Sequence, residues 1–597
     1  MTKVKIVRVI IPAVFILVVF GGAPSIFSKA GLSTPPLSGT VRTKDGKPLE
    51  GVGVSARSSA KTFTTTVYTD QRGAYFFPPL EDGHYRVWAQ AVGFEAAANE
   101  VDLVSGQKRQ VELALPPLED YHRQLSGTEW VSSLTEENPG DVRMKAVFIS
   151  NCIGCHTASF PLQNRFDVAG WRAVINVMSK MTTLGYVPEN AKPDEPIMAY
   201  GEELAGYLGR ARGPGSTGLG LRPLPRPTGD AARVVITEYD LSRPDMPGWL
   251  MKHNGTDWSE GTPSRYAGRA AHDVGIDKEG YVWFADDATP ERTIGRLDPR
   301  TGRVRDYKLA DERTNSAESS HALVLDQRGN IWFANDTEGN PTEFDPLTGT
   351  FHRYPRPSTY PSSGVFIAVD GEGNPWSPHK EGAFRLDPHT GEYTNYSAGP
   401  PPKANYDVAI DKENNAWIAQ PGGNRMTIID SKAGKVEELA LGPREDVDIT
   451  AKDRDFSSRL TLSANTATPL EKGPRRVAAD ENGDFVWVCE FFADQLARID
   501  IHTRKVTEYP VPHRYSQPYA VTVDKNHMVW ISMLSSDRIA KFDPRTEKFT
   551  EYELPTLGTE VRHIQVDDSS DPPTVWLAYG RTDKIGRVQF RSNSETR

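Results

Sequence analysis

From residue 231 to residue 592 the chain repeats one pattern of apolar and polar positions. Each repeat runs an apolar strand, an Asp-rich turn, a strand with a late Trp, a strand ending in Asp-Pro, a Thr-Gly turn and a Glu-Tyr strand. Val282-Trp283-Phe284-Ala285, Gly295-Arg296-Leu297-Asp298-Pro299 and Thr550-Glu551-Tyr552 show its parts. The Trp marks fall at Trp283, Trp332, Trp376, Trp417, Trp487, Trp530 and Trp576, with gaps of 49, 44, 41, 70, 43 and 46 residues. Four strands in about 40–45 residues specify a β-propeller blade, and seven marks specify seven blades. The gap of 70 is too short for another blade, so residues 442–473 read as an insertion. Thr237-Glu238-Tyr239-Asp240-Leu241 has the sequence of an outermost strand but precedes the first blade. The last blade supplies only three strands, so this segment is expected to complete it and cover its open edge.

Upstream the period changes. Residues 37–116 alternate short apolar strands with Asp-Gly and Arg-Gly turns at Asp45-Gly46, Arg72-Gly73 and Asp82-Gly83. Period-2 strands joined this way predict an antiparallel sandwich of about seven strands. Residues 118–212 switch to a helical period: 141–150 reads as a helix, and Trp171, Val174, Ile175 and Met178 share one face of another. Residues 213–230 are rich in Pro and Gly and read as a linker. At the start, Lys3, Lys5 and Arg8 precede an uncharged apolar run over 9–20, and Ser28 and Ala30 offer small residues before Gly31. Residues 1–30 therefore read as an export signal or as an uncleaved membrane anchor. Either reading places the rest outside the cytoplasm, periplasmic or otherwise extracytoplasmic.

Composition narrows the partners. A net charge of -10 over 597 residues argues against nucleic acid, which calls for a basic face. No glycine-rich fingerprint opens a βαβ unit, which argues against a nicotinamide or flavin site. Of three Cys, Cys489 stands alone in an apolar strand and reads as a small buried hydrophobe. The other two form Cys152-Ile-Gly-Cys155-His156, the attachment signal for one covalent c-type haem. Two thiols at this spacing add across the haem vinyl groups, and the adjacent imidazole meets the iron. A zinc half-site would need further Cys or His nearby, and none follows until His253.

These segments resemble known families. The 37–116 pattern resembles the carboxypeptidase regulatory-like domain, which is linked with carbohydrate-binding-like folds and implies a spacer, adhesion or glycan-binding module. Residues 118–212 resemble a small class of cytochrome c domain, with Leu204, Tyr207 and Leu208 matching its C-terminal helix. That resemblance implies a Met on the far side of the iron: Met178 first, with Met181 and Met198 as alternatives. The repeat over 231–592 resembles the streptogramin (virginiamycin) B lyase family of seven-bladed propellers. The fold class is thus multidomain and mainly β: a β-sandwich, a small all-α cytochrome c domain and a seven-bladed β-propeller.

The lyase resemblance implies β-elimination on a cyclic depsipeptide, with a His base and a Glu that helps bind Mg2+. The start of strand one and the end of strand two share one mouth of a propeller. The expected mouth pairs are His272 with Asp286, His321 with Asn335, Val365 with His379, Tyr406 with Gln420, Arg476 with Glu490, Tyr519 with Met533, and His563 with Tyr579. No blade has the family's His and Glu together. Candidate catalytic residues are His272, Asp286, His321, Glu490 and His563, assembled across blades. Two function classes follow. In one, the haem transfers electrons to a redox partner outside the cytoplasm, while the propeller binds a partner or a small-molecule or glycan ligand. In the other, the propeller is a Mg2+-dependent lyase and the haem is accessory.

Overall fold

The computed structural model describes residues 37–591, apart from 155, 183–186, 217–218, 242–254, 263–270, 288, 336–338, 398–404 and 460–466. The expected signal or anchor over 1–30 lies outside the described residues. No described helix is long and apolar enough to cross a membrane.

Six blades are built from consecutive strands. Blade 1 comprises Ala271–Ile276, Val282–Asp286, Ile294–Asp298 and Arg303–Tyr307, all antiparallel. Blades 2 to 6 repeat this order, beginning at Ser320, Ala368, Val408, Pro474 and Pro518. The repeated Trp has a polar as well as an apolar duty. Trp283 Nε1 donates to Asp277 at 2.8 Å, six residues earlier. Trp332, Trp376, Trp417 and Trp530 do the same to Asp326, Asp370, Asp411 and Asp524. Each indole thus fills the blade interface and ties down the preceding turn. Blade 5 has one residue more in this turn, and its Asp480 accepts from His527 at 2.7 Å instead.

Blade 7 comprises Val561–Asp567, Thr574–Tyr579 and Lys584–Phe590, completed by Val234–Asp240 paired antiparallel with the last of these. The closing strand is the one expected. Its outer edge, however, is not left to solvent. It pairs with Phe63–Tyr68 of the sandwich, Phe63 opposite Tyr239 and Val67 opposite Val235. Blade 7 and one sandwich sheet therefore form a continuous eight-stranded sheet. This removes an exposed edge and welds the two modules together through backbone hydrogen bonds.

The sandwich has the seven strands that the alternation predicts. Phe63–Tyr68, Gly53–Ser58, Gly83–Gln90 and Ala97–Leu103 form one sheet. Ala74–Phe76, Leu37–Thr43 and Arg109–Leu115 form the other. The first and last strands run parallel over seven residues, so the module is not wholly antiparallel. The chain leaves the first strand, builds most of the rest, and re-enters in the same direction. Gly73, at φ 73°, permits the Arg-Gly turn: a Cβ there would lie 2.4 Å from the Val41 carbonyl oxygen.

Five helices follow: α1 Gly127–Ser132, α2 Pro139–Cys152, α3 Ser159–Leu162, α4 Val168–Met178 and α5 Glu195–Arg212. Asn138, Asp167 and Asp194 cap α2, α4 and α5. The insertion carries α6, Ala451–Arg459. Its Asp453 grips Arg143 of α2 with two bonds, at 2.8 and 2.6 Å, and Phe456 stands edge-on to Tyr200 of α5. The helical segment shares one apolar cluster with the propeller: Trp130, Val147, Phe148 and Leu208 belong with Phe491, Tyr519 and Leu534. Nor does the Pro-Gly stretch hold the modules apart. Leu224 N donates to Glu129, Arg222 N to Ser133, and Arg538 to the Pro225 carbonyl. Outside regular secondary structure, its backbone N–H and C=O groups are open to partners on the surface it crosses.

Candidate functional site

Cys152 is the last residue of α2 and is half-buried; Cys155 lies outside the described residues. His156 is buried, and its Nδ1 lies 3.1 Å from the Thr157 carbonyl oxygen. A carbonyl only accepts, so Nδ1 carries the proton and Nε2 keeps its lone pair. Nε2 has no hydrogen-bond partner among the described residues. Burial, with Arg581 nearby, holds this imidazole below its ordinary pKa, against the Thr157 hydrogen bond and Glu560. The donor set fits a haem iron: a thiol at a helix end and a neutral imidazole with one nitrogen locked and the other open. The surroundings fit as well. Phe160 stands edge-on at 5.3 Å from His156. Six of the eight exposed large hydrophobics among the described residues are Phe160, Phe166, Val168, Val177, Val187 and Met198 of this segment. Met178 ends α4, half-buried like Met181, whereas Met198 is 43% exposed on α5.

The segment sits on one particular end of the propeller. The α1 residue Thr128 donates twice to the propeller, its N–H to the Ser535 carbonyl and its hydroxyl to the Tyr515 carbonyl. A cavity of about 10 Å³ beside His156 is walled by Ile153, Thr157 and Ala158 and by Leu534, Ser535 and Glu560. These propeller residues follow the ends of second strands or precede first strands. The segment around Cys152 and His156 thus faces the mouth where first strands begin.

At that mouth the first strands bring side chains from all seven blades together. The rings of His272 and His321 lie against each other at a tilt of 31°, centroids 3.5 Å apart, and Phe366 stands edge-on to His321 at 5.2 Å. Phe366 packs on Tyr406, whose hydroxyl meets that of Tyr519 at 2.5 Å. Arg475 lies over the Phe491 ring at 4.1 Å. Arg476 reaches across the axis to both oxygens of Asp273, 2.8 Å each, and lies 3.4 Å from Asp407. Asp273 is consequently held far below the carboxylate range despite full burial. Burial pushes Asp407 up to about 6, against the pull of Arg476. Asp273 also meets His272 Nδ1 at 2.8 Å. The ionised carboxylate keeps the His272 proton on Nδ1, and Nε2 is buried with no hydrogen-bond partner among the described residues. Burial, reinforced by His321, drives the His272 pKa well down. His563, 3.9 Å from Asp273, is pushed by burial to about 4.

Residues 442–588 match the virginiamycin B lyase family. Residues 36–116 match the carboxypeptidase regulatory-like domain. No curated protein matches the chain. Among solved structures the chain is similar to a streptogramin B lyase, at 20% identity over 61% of this chain and 100% of that one, with a TM-score of 0.46. Virginiamycin B lyase from Staphylococcus aureus is similar at 17% identity over 54% of this chain and 96% of that one, with a TM-score of 0.43. A catalytically inactive form of it, with quinupristin, has the same identity and coverage and a TM-score of 0.44.

The lyase-like propeller gathers some of the expected mouth residues and parts others. His272 and His563 come together around Asp273, and His321 lies against His272. Asp286 and Glu490, at the ends of second strands, turn into their own blades. Asp286 is bound by Arg292 Nε at 2.7 Å and by the N–H and hydroxyl of Thr289, both at 2.8 Å. Glu490 lies 3.7 Å from Lys472, and burial beside Glu508 raises it to about 8. His379 likewise bonds Asn395, and Gln420 bonds Thr427, each inside its blade. Strand alternation is the reason: successive side chains take opposite faces. The next residue, Asp287, is the one that reaches His321, at 3.5 Å. Asp273, Asp287 and Arg476 complete the arrangement. Asp273 and Asp287 were legible only by stepping one residue past each expected position. Among the described residues, no group of three or more His, Cys, Asp or Glu forms a metal-holding cluster. Cys489 is buried and inert, its thiol pushed up by burial.

Proposed function

We propose that this chain is an exported c-type haem electron-transfer protein whose propeller binds a partner or substrate at the mouth facing the haem motif. The carrying observation is His156: its Nδ1 is engaged by the Thr157 carbonyl and its Nε2 is left for a metal. Cys152, Cys155 and His156 would hold the haem together with Met178, or with Met181 or Met198 in its place. Bound there, haem supplies one-electron transfer. The chain's own residues shape its setting: α2 presents the first thiol, Thr157 orients the imidazole, and Phe160 shields it. The electron partner is a redox protein outside the cytoplasm. Protein matured with a cytochrome c assembly system keeps peroxidase staining through denaturing electrophoresis, and changing both Cys152 and Cys155 to Ser abolishes it. Staining that is absent from the wild type, or that survives in the double variant, refutes the reading. Met178→Ala should lower the potential and remove the weak Met-to-ferric-haem band, whereas Met181→Ala should do neither.

A second reading is favoured by the family match over 442–588 and by the His272–Asp273 pair. Here the propeller is a lyase and the haem an accessory. A carboxylate-oriented imidazole with an open Nε2 can take a proton α to a carbonyl, and Mg2+ would steady the developing enolate. Magnesium-dependent linearisation of a cyclic depsipeptide, consuming neither water nor electrons, tests it.

A further inference from the structure

The 442–473 insertion does more than brace the helices. Where it meets blade 4 it closes a cavity of about 260 Å³ lined by Arg425, Arg444 and Arg454, with Asn424, Gly442 and Leu470 among its other walls. Among the described residues no Asp or Glu lines it. We propose that this cleft is a binding site for a compact oxyanion, a phosphate or sulfate group.

Arg444 carries the argument. Its side chain is 3% exposed, and Nε and Nη2 are held by Asp446 at 2.5 and 2.9 Å. Nη1 is buried and has no hydrogen-bond partner among the described residues. A guanidinium has five N–H donors, and a buried donor without an acceptor is costly. The other two arginines are fixed at their edges and keep donors to spare. Arg425 bonds Glu438 at 2.9 Å, and Arg454 bonds the Ile449 carbonyl at 2.8 Å. The walls are set in advance. Asn424 accepts from Lys472 N at 2.6 Å and donates to the Leu470 carbonyl at 3.1 Å, clamping the far end of the insertion onto the blade. Three arginines lining a preset cleft suit an anion with several oxygens, because paired guanidinium N–H groups match two oxygens at once. Chloride offers one acceptor and no such match. The volume of about 260 Å³ exceeds that of a bare oxyanion, so the group can be free or carried on a small sugar.

The test is calorimetric titration of the full chain with sodium phosphate and with sodium sulfate, ionic strength being held with sodium chloride. One saturable site is expected with a Kd at or below about 1 mM. Arg454→Gln and Arg425→Gln, both at the surface, should each weaken it about tenfold, as loss of a charge-assisted bond does. Arg300→Gln, an exposed change on blade 1, should not. Arg444→Gln should abolish binding, and should it fail to fold, the two surface variants still decide. A sugar phosphate or sugar sulfate that binds more tightly than the free ion identifies a group on a larger molecule; equal affinity identifies the free ion. Absence of saturable binding, or affinity unaltered in both surface variants, overturns the proposal.

Discussion

In the helical segment the residues of interest are chain neighbours, whereas at the propeller mouth they come from seven separate blades. Cys152 and His156 are set by one helix end and one turn, so their spacing in sequence already dictates their spacing in space. His272, Asp273, Asp407, Arg476 and His563 meet only because the ring closes. Their alignment depends on the pleat of each first strand, and a one-residue offset sends a side chain into the blade instead of the channel. Asp286 and Asp287 show both outcomes side by side: one is consumed by Arg292, the other reaches His321. A contiguous motif tolerates changes elsewhere in the fold. A site assembled around an axis depends on buried ion pairs that span it.

That contrast can be broken most forcefully at Arg476. Arg476→Ala leaves Asp273 and Asp407 buried without their shared cation, and should cost about 3–5 kcal/mol in denaturant unfolding. Arg300→Ala, which removes an exposed pair with Asp298, should stay within about 0.5 kcal/mol. A small loss at Arg476 would mean that the axis is hydrated and loosely set.

Catalysis, if the second reading holds, sharpens the comparison further. His272→Ala or Asp273→Asn should lower depsipeptide opening about 10²-fold, as loss of an acid–base group does. Glu490→Gln, inside blade 5, should have a much smaller effect. Equal losses at His272 and Glu490 would show that the second-strand ends do face the substrate.

A further contrast lies at the junction of the helices with blades 6 and 7. Asp537 accepts from Gly558 N, Thr559 N and the Thr559 hydroxyl, yet burial pushes it up to about 7. The folded state thus holds this proton more tightly than the unfolded chain, whose carboxyl titrates near 4. Its contribution to stability is full below about pH 4 and is lost as pH rises through about 7. Asp537→Asn should flatten the unfolding free energy across this window by up to about 1.4 kcal/mol per pH unit. An unaltered slope would place the titration elsewhere.

Much of the architecture was legible because it is periodic. The Trp marks gave the blade count, and in five of the seven blades the indole also bonds an Asp six residues earlier. The closing strand was legible from its displaced Glu-Tyr sequence. What joins the modules was not. The free edge of Val234–Asp240 carries no mark saying that Phe63–Tyr68 will take it, since backbone N–H and C=O groups are the same in every residue. Arg143 and Asp453 are 310 residues apart, and neither belongs to a repeat. The Pro-Gly stretch over 213–230 reads by composition as a spacer, but its backbone groups are bound by Glu129, Ser133 and Arg538.

The most direct test of the central claim is the mass of the tryptic peptide 146–165, which holds Cys152, Cys155 and His156, from protein matured with a cytochrome c assembly system. The account predicts the peptide mass plus one haem, with the two thiols consumed. A peptide with two free thiols, open to alkylation and carrying no added mass, would contradict it.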